Sequence, residues 1–275
     1  MNNLFNIKDY VVVITGGTGV LGRSIAKYLA LEGAKVIIGG RKEDVGAQIV
    51  SDITAAGGAC EFVKMDVMNQ QQIQEVCDYI VGKYGKVDTL LNAAGGNQAG
   101  ATIGPDQNFF DLSTEAFQQV LNLNLTGTVI PTQIFLKPMV KAGKGSIINF
   151  SSMAAFRPMT RVCGYAAAKA GISNFTAYMA HECAKKFGEG IRVNAIAPGF
   201  IFTKLSDRYS PHDLAGFRHK IPVGHGGTVD DITPMILFLS DIEKSKFIVG
   251  ETVFIDGGQS IDGTIESIEY NLPND

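Results

Sequence analysis

Tyr165 and Lys169 stand four residues apart, and Ser152 precedes the tyrosine by thirteen. On a helix, positions i and i+4 share a face, so this spacing sets an ammonium beside a phenol. A free phenol titrates near ~10 and is a poor proton donor or acceptor at neutral pH. A fixed positive charge nearby favours the phenolate, and bringing a pKa toward working pH is what general acid–base catalysis requires. A serine hydroxyl brought in from a preceding strand end could hold a carbonyl or alcohol oxygen beside that phenol. The same residues also fit an ordinary pair on a helix surface, so their meaning depends on the elements that carry them.

Those elements alternate. Short apolar runs, most of them rich in Val and Ile, recur over 10–15, 35–38, 60–64, 89–92, 146–150, 192–196 and 252–255. They lack strict alternation, as strands buried on both faces do. Helical patterns lie between them at 20–32, 42–56, 70–84, 114–126, 163–187 and 229–240. Strand and helix in this alternation predict βαβ units and an α/β fold of Rossmann type: a doubly wound, seven-stranded parallel sheet with helices on both faces. No Pro/Ser-rich linker divides it, so residues 1–260 are expected to form a single dinucleotide-binding and catalytic domain. Residues 261–275 form an acidic, weakly patterned C-terminal tail. In such sheets ligands bind outside the carboxyl ends of the strands. The candidate segments that follow all fall there.

Composition narrows the function classes. The chain has 275 residues, 45% hydrophobic and 19% charged, enough for a packed core and too little charge for disorder. A net charge of −3 without a basic run disfavours nucleic acid as a partner. No run approaches the ~20 apolar residues of a membrane span. Asn2, Asn3, Asn6, Lys8 and Asp9 interrupt the opening segment, unlike a signal peptide. A cytoplasmic protein is therefore expected. Cys60, Cys77, Cys163 and Cys183 lack metal-type spacing and read as small packing residues. His181 and His225 also lack ligand spacing, so no metal is expected.

The first strand runs into Gly16, Gly17, Thr18, Gly19, Val20, Leu21 and Gly22, then into a helix. Glycines there let backbone approach a pyrophosphate, and the helix N-terminus presents free N–H groups to it. At the end of the second strand Gly40 supplies no carboxylate for an adenosine ribose diol, and Arg41 could pair with a 2′-phosphate. NADP(H) is thus slightly favoured over NAD(H), with Arg41 as a solvated helix-start residue the alternative. Asp66, followed by Val67, could accept from an adenine amino group. Asn92, Ala93, Ala94 and Gly95 bring small residues to where a flat cofactor must lie. Either segment could also serve as a cap or turn.

Together, TGGTGVLG, NAAG, the helical Asn in LNLTG, Ser152, YxxxK and a late PG motif resemble the short-chain dehydrogenase/reductase family from residue 10 to 258. The resemblance implies a catalytic tetrad of Asn124, Ser152, Tyr165 and Lys169. Asn124 would hold a water linking Lys169 to solvent. Lys169 would bind the nicotinamide ribose and lower the Tyr165 pKa, Ser152 would orient the substrate oxygen, and Tyr165 would pass the proton. Pro198, Gly199, Ile201 and Thr203 would hold the nicotinamide carboxamide. The family usually carries glycine where this chain has Val20, with Gly19 displaced by one residue. A homotetramer is also implied, built through the helices near 114–126 and 163–187.

Residues 94–97, the loop to Asp111, the segment 127–135 and SSMAAFRPMTRVCGY are similar to the D-mannonate oxidoreductase (fructuronate reductase) branch. A small sugar-acid substrate is thereby implied, oxidised or reduced between secondary alcohol and ketone. Arg157 and Arg161 could then grip its carboxylate and Asn97 its hydroxyls. The arginines could equally be solvated or lie in a subunit interface. The polar segment 206–220 reads as a substrate lid. Rival readings are a 3-oxoacyl carrier-protein reductase, a gluconate 5-dehydrogenase-like enzyme and a catalytically idle dinucleotide sensor. A sensor has no need of all four tetrad groups.

Overall fold

The computed structural model describes residues 5–203, 216 and 218–262. Seven strands among them, β1 (Val11–Thr15), β2 (Lys35–Gly40), β3 (Ala59–Lys64), β4 (Thr89–Asn92), β5 (Gly145–Phe150), β6 (Ile191–Pro198) and β7 (Thr252–Ile255), form one sheet in the order β3-β2-β1-β4-β5-β6-β7. Every pairing is parallel. Strand order reverses between β1 and β4, and that crevice is where α/β sheets bind ligands.

Successive strand side chains point to opposite faces, so each face has its own core. Val12 and Ile14 pack with Ile25 and Leu29 of α1 (Val20–Leu31), Ile49 and Ile53 of α2 (Glu43–Ala55), and Ile232 and Ile236 of α7 (Val229–Ser240). Val11 and Val13 face the other way. They pack with Ile73 and Ile80 of α3 (Gln70–Tyr84), Phe135 and Met139 of α5 (Gly127–Ala142), and Cys183 of α6 (Cys163–Phe187). Cys60, Cys77 and Cys183 serve as packing residues, their thiols pushed up to about 12, 11 and 11 by burial.

The seven expected strands are all present, within two residues at each end. The helix expected over 114–126 is different. It stops at Leu121 as α4 (Thr114–Leu121), widens into a π-helical turn at Asn122–Thr126, and continues directly as α5. Pro131 and Pro138 lie inside α5, which the sequence pattern does not resolve as a helix. A proline inside a helix costs roughly 3 kcal/mol. Full burial of Ile134, Phe135 and Met139, worth about 1.5–3 kcal/mol each, offsets both. The expected lid at 206–220 lies outside the described residues apart from Gly216 and 218–220, as does the tail beyond Asp262.

Candidate active site

The glycine turn after β1 leaves space for backbone alone. Gly16 has φ +66°, and a Cβ on it would lie 2.7 Å from the Ala94 Cα. A Cβ on Gly22 would lie 2.5 Å from the Gly16 carbonyl oxygen. Gly19 caps α1 without a side-chain bond, and no acidic residue occupies the first turn, so the helix N-terminus faces outward uncapped. Val20, where glycine is usual, is simply the first residue of α1, and Gly19 ahead of it is extended at φ −73°. The substitution therefore puts no non-glycine residue at positive φ in this turn. Thr15, within the TGG motif, joins the two cofactor-side turns: its Oγ1 accepts from the Ala94 N–H at 3.2 Å and donates to the Leu91 carbonyl.

Other expected cofactor residues divide by what their side chains touch. Arg41 is exposed and makes no ion pair among the described residues. Asp66 accepts from the Met68 N–H at 3.0 Å, closing its own turn, while Val67 packs under Gly127. Asn92 is buried and turned inward, donating to Thr132 at 3.0 Å and Asn149 at 2.9 Å, so its side chain braces the sheet rather than the crevice. Beyond β6, the Gly199 N–H donates to Ile255 and Ile201 bridges to Gly227, which fixes the turn after Pro198. Thr203 is half-buried beside it.

The four residues expected to form the catalytic tetrad come together from three elements. Tyr165 and Lys169 occupy the first turns of α6, with the Lys169 Nζ 5.5 Å from the phenol ring centroid. Ser152 follows β5, is buried, and hydrogen-bonds the Tyr165 hydroxyl. Asn124 sits fully buried in the π-helical turn, a distortion often found at functional sites. Its amide accepts from the Gly96 N–H at 3.0 Å and donates to the Gly96 and Val120 carbonyls at 2.7 and 2.8 Å. A Cβ on Gly95 would lie 2.5 Å from the Asn124 Oδ1 and 3.5 Å from the Lys169 Nζ. The NAAG turn thus roofs the gap between asparagine and lysine.

Burial sets the electrostatics. Lys169 donates to the Phe150 carbonyl at 2.6 Å with no carboxylate beside it among the described residues, and desolvation pulls its amine down to about 7. Burial also raises the Tyr165 phenol, which the Ser152 hydrogen bond only partly counters. The lowering expected from the Tyr–Lys spacing is therefore outweighed by desolvation of the phenol itself. The raised phenol keeps its proton at neutral pH.

The expected substrate residues also separate. Arg157 is engaged away from the crevice, donating to the Gln259 carbonyl at 2.6 Å and lying 3.7 Å from Asp262. Arg161 has φ +74° and staples two loops, its Nε donating to the Ile103 carbonyl at 2.7 Å while its own carbonyl accepts the Ile103 N–H at 2.9 Å. Asn97 folds back onto Thr102 at 2.7 Å. Phe150, Ile103 and Gln259 contribute through backbone groups, which residue type does not advertise. Among the described residues no group of three His, Cys, Asp or Glu is placed to hold a metal, and no helix is long and apolar enough to cross a membrane.

Residues 10–213 match the family model for short chain dehydrogenases. This chain belongs to the short-chain dehydrogenase/reductase family. The uncharacterized oxidoreductase UxuB of Bacillus subtilis is 40% identical over 273 residues, covering 92% of this chain and 95% of UxuB. The 3-oxoacyl-[acyl-carrier-protein] reductase FabG of Chlamydia pneumoniae is 34% identical, covering 90% of this chain and 95% of that protein. A solved structure from Haemophilus influenza with bound NAD, provisionally assigned as a D-mannonate oxidoreductase, superposes with a TM-score of 0.86 at 33% identity, covering 94% of this chain and 97% of its own. The short-chain dehydrogenase/reductase is accordingly an enzyme that uses a nicotinamide dinucleotide on CH–OH groups. Its glycine turn fits that cofactor: a side chain at 16 or 22 would fill the cradle, and the uncapped N–H groups of α1 suit a pyrophosphate.

Proposed function

We propose that this enzyme interconverts the secondary alcohol and ketone of a sugar acid of the D-mannonate/D-fructuronate type. One observation carries the chemistry: Ser152, Tyr165, Lys169 and Asn124 meet beneath the Gly95 backbone at the adjoining ends of β4 and β5. In reduction, Ser152 orients the ketone oxygen and Tyr165 donates its phenolic proton to it. Lys169 then returns a proton to Tyr165 from the Asn124 side, where a water beside the Gly95 roof completes the path to solvent. Bound nicotinamide supplies or accepts the hydride at the carbinol carbon. The turn from Pro198 through Gly199 and Ile201 to Thr203 holds the carboxamide end of the ring. The chain supplies this site in the cytoplasm, within a homotetramer.

The sugar-acid assignment is supported by Arg161. Ile103 fixes its Nε, and the guanidinium makes no ion pair among the described residues, so its terminal nitrogens are available to a carboxylate. The Haemophilus structure's assignment points the same way. NADP(H) is favoured through Arg41, while that neighbour's bound NAD supports NAD(H). The test is turnover of D-fructuronate, 5-keto-D-gluconate and an acetoacetyl thioester, each with NADH and NADPH. Preferential reduction of D-fructuronate, weakened by Arg161→Ala, is the expected result. The FabG relatives support a second reading, reduction of 3-oxoacyl groups on a carrier protein, and preferential turnover of the thioester would establish it.

A further inference from the structure

Three strand ends lie side by side at the carboxyl edge of the sheet: β5 leads to Ser152, β6 to Gly199, and β7 to Asp256. The loops after β5 and β7 are joined to each other and then to the turn after β6. Arg157 donates through Nη1 to the Gln259 carbonyl at 2.6 Å. Phe156 sets its ring edge-on against Phe254 of β7, centroids 4.7 Å apart. Gln259 then reaches back, its Oε1 accepting from the Phe200 N–H at 3.2 Å. One residue therefore meets the serine loop through its backbone carbonyl and the β6 turn through its side chain. Gly199 permits this approach, since a Cβ there would lie 2.7 Å from the Asp256 Cα and 3.0 Å from the Gln259 Oε1. The β7 turn is itself fixed: the Asp256 carboxylate accepts from the Gly258 and Ser260 N–H groups at 3.0 and 2.7 Å.

We propose that Arg157 and Gln259 are positioning residues. Together they set the separation between the Ser152 loop and the 199–201 turn, and so the depth at which the nicotinamide sits beside Tyr165. This rests on the reading above that the turn holds the carboxamide end. Of the contacts Arg157 makes, the pair with Asp262 is long at 3.7 Å and the arginine side chain is 39% exposed, so water and salt screen it. The charge-assisted bond to the Gln259 carbonyl is short and connects directly to the β6 turn. Asp262 orients the arginine, and Gln259 transmits its hold.

The strap acts on the nicotinamide half of the cofactor alone, which two kinds of probe separate. NADH and NADPH carry the ring, whereas ADP-ribose and its 2′-phosphate keep the adenosine and pyrophosphate but end before it. Arg157→Ala and Gln259→Ala are each expected to weaken the preferred reduced dinucleotide about five- to tenfold, the scale of one lost hydrogen bond. The ring-less probe should change by less than about twofold, which also shows the variants are folded. Gln259→Glu keeps an acceptor for the Phe200 N–H and should restore binding. The double variant should lose no more than the worse single one, because the two act in series. Equal weakening of both probes, unchanged dinucleotide binding, or additive losses would overturn the strap. A wild-type chain that binds none of the probes would instead overturn the functional reading beneath it.

Discussion

Burial holds the Lys169 amine down to about 7, against an ordinary value of 10.5, and this ties the proposed proton path to stability at one residue. Between those two values the unfolded chain binds a proton that the native chain does not, so this group's contribution to stability rises with pH across the window. Below pH 7 both states are charged and the full desolvation cost is felt. Lys169→Met removes the titration. Thermal melts from pH 6 to 10 should therefore show the wild-type midpoint climbing relative to the variant's, and parallel curves would show that Lys169 does not titrate there. Comparing against the variant is needed because the raised Cys60, Cys77 and Cys183 thiols act in the opposite sense above pH 9. Tyr165 is the proposed proton donor. Tyr165→Phe deletes the proton donor and leaves the packing of the ring, so turnover should fall by about 10²–10⁴-fold while dinucleotide affinity stays close to wild type. Fluorescence titration beside single-turnover rates reads both, and a variant of undiminished rate would remove Tyr165 from the proton step.

At the scale of elements, the site depends on how closely the NAAG turn approaches the π-helical turn. Gly95→Ala would drive a methyl to 2.5 Å from the Asn124 Oδ1, where the asparagine is already pinned by Gly96 and Val120. The clash cannot relax through a flexible chain end, so activity should drop at least about tenfold, with a loss of stability of roughly 1–3 kcal/mol from overpacking. Gly143→Ala is a useful control. Unlike Gly95 it has a positive φ to contend with, and nothing lies within 4 Å of its Cβ, so stability should fall without loss of activity per folded molecule. The strands of this fold are legible in the sequence because runs such as Val11–Thr15 are buried on both faces and need apolar residues throughout. The Tyr165–Lys169 pair is legible because one helical turn fixes it. The long helix α5 is not, since Pro131 and Pro138 argue locally against what Phe135 and Met139 secure by packing. Nor is the partner of Arg157, which lies 102 residues away and is a backbone carbonyl. Asn92 shows a subtler limit: its place at a strand end is readable, but which way its amide turns is set by Thr132 and Asn149.

For the whole molecule, the question is what covers the surface the sheet's helices leave open. Helix α6 buries a stripe of Gly164, Ala168, Ile172, Thr176, Ala180 and Cys183, with Lys169 beside it, against the rest of the chain. Its outer side exposes small residues, Ala170 and Ala177, next to Tyr178, which is 59% exposed. Small side chains let another helix approach closely, and an exposed tyrosine is a common anchor in the centre of an interface. A homotetramer formed through α4 and α6 is the assembly expected from the family resemblance, and this face suits it. Sedimentation equilibrium should then return a mass of about four chains at micromolar concentration, and a stable pair would bury on the order of 1,600 Å² at each interface. Ala170→Arg combined with Tyr178→Glu places bulk and charge on the outer side of α6 without touching its buried stripe. That double variant should sediment as smaller species yet keep its dinucleotide affinity, because every residue assigned to the cofactor comes from one chain. A wild-type protein that sediments as a monomer throughout would leave the face of α6 without this role.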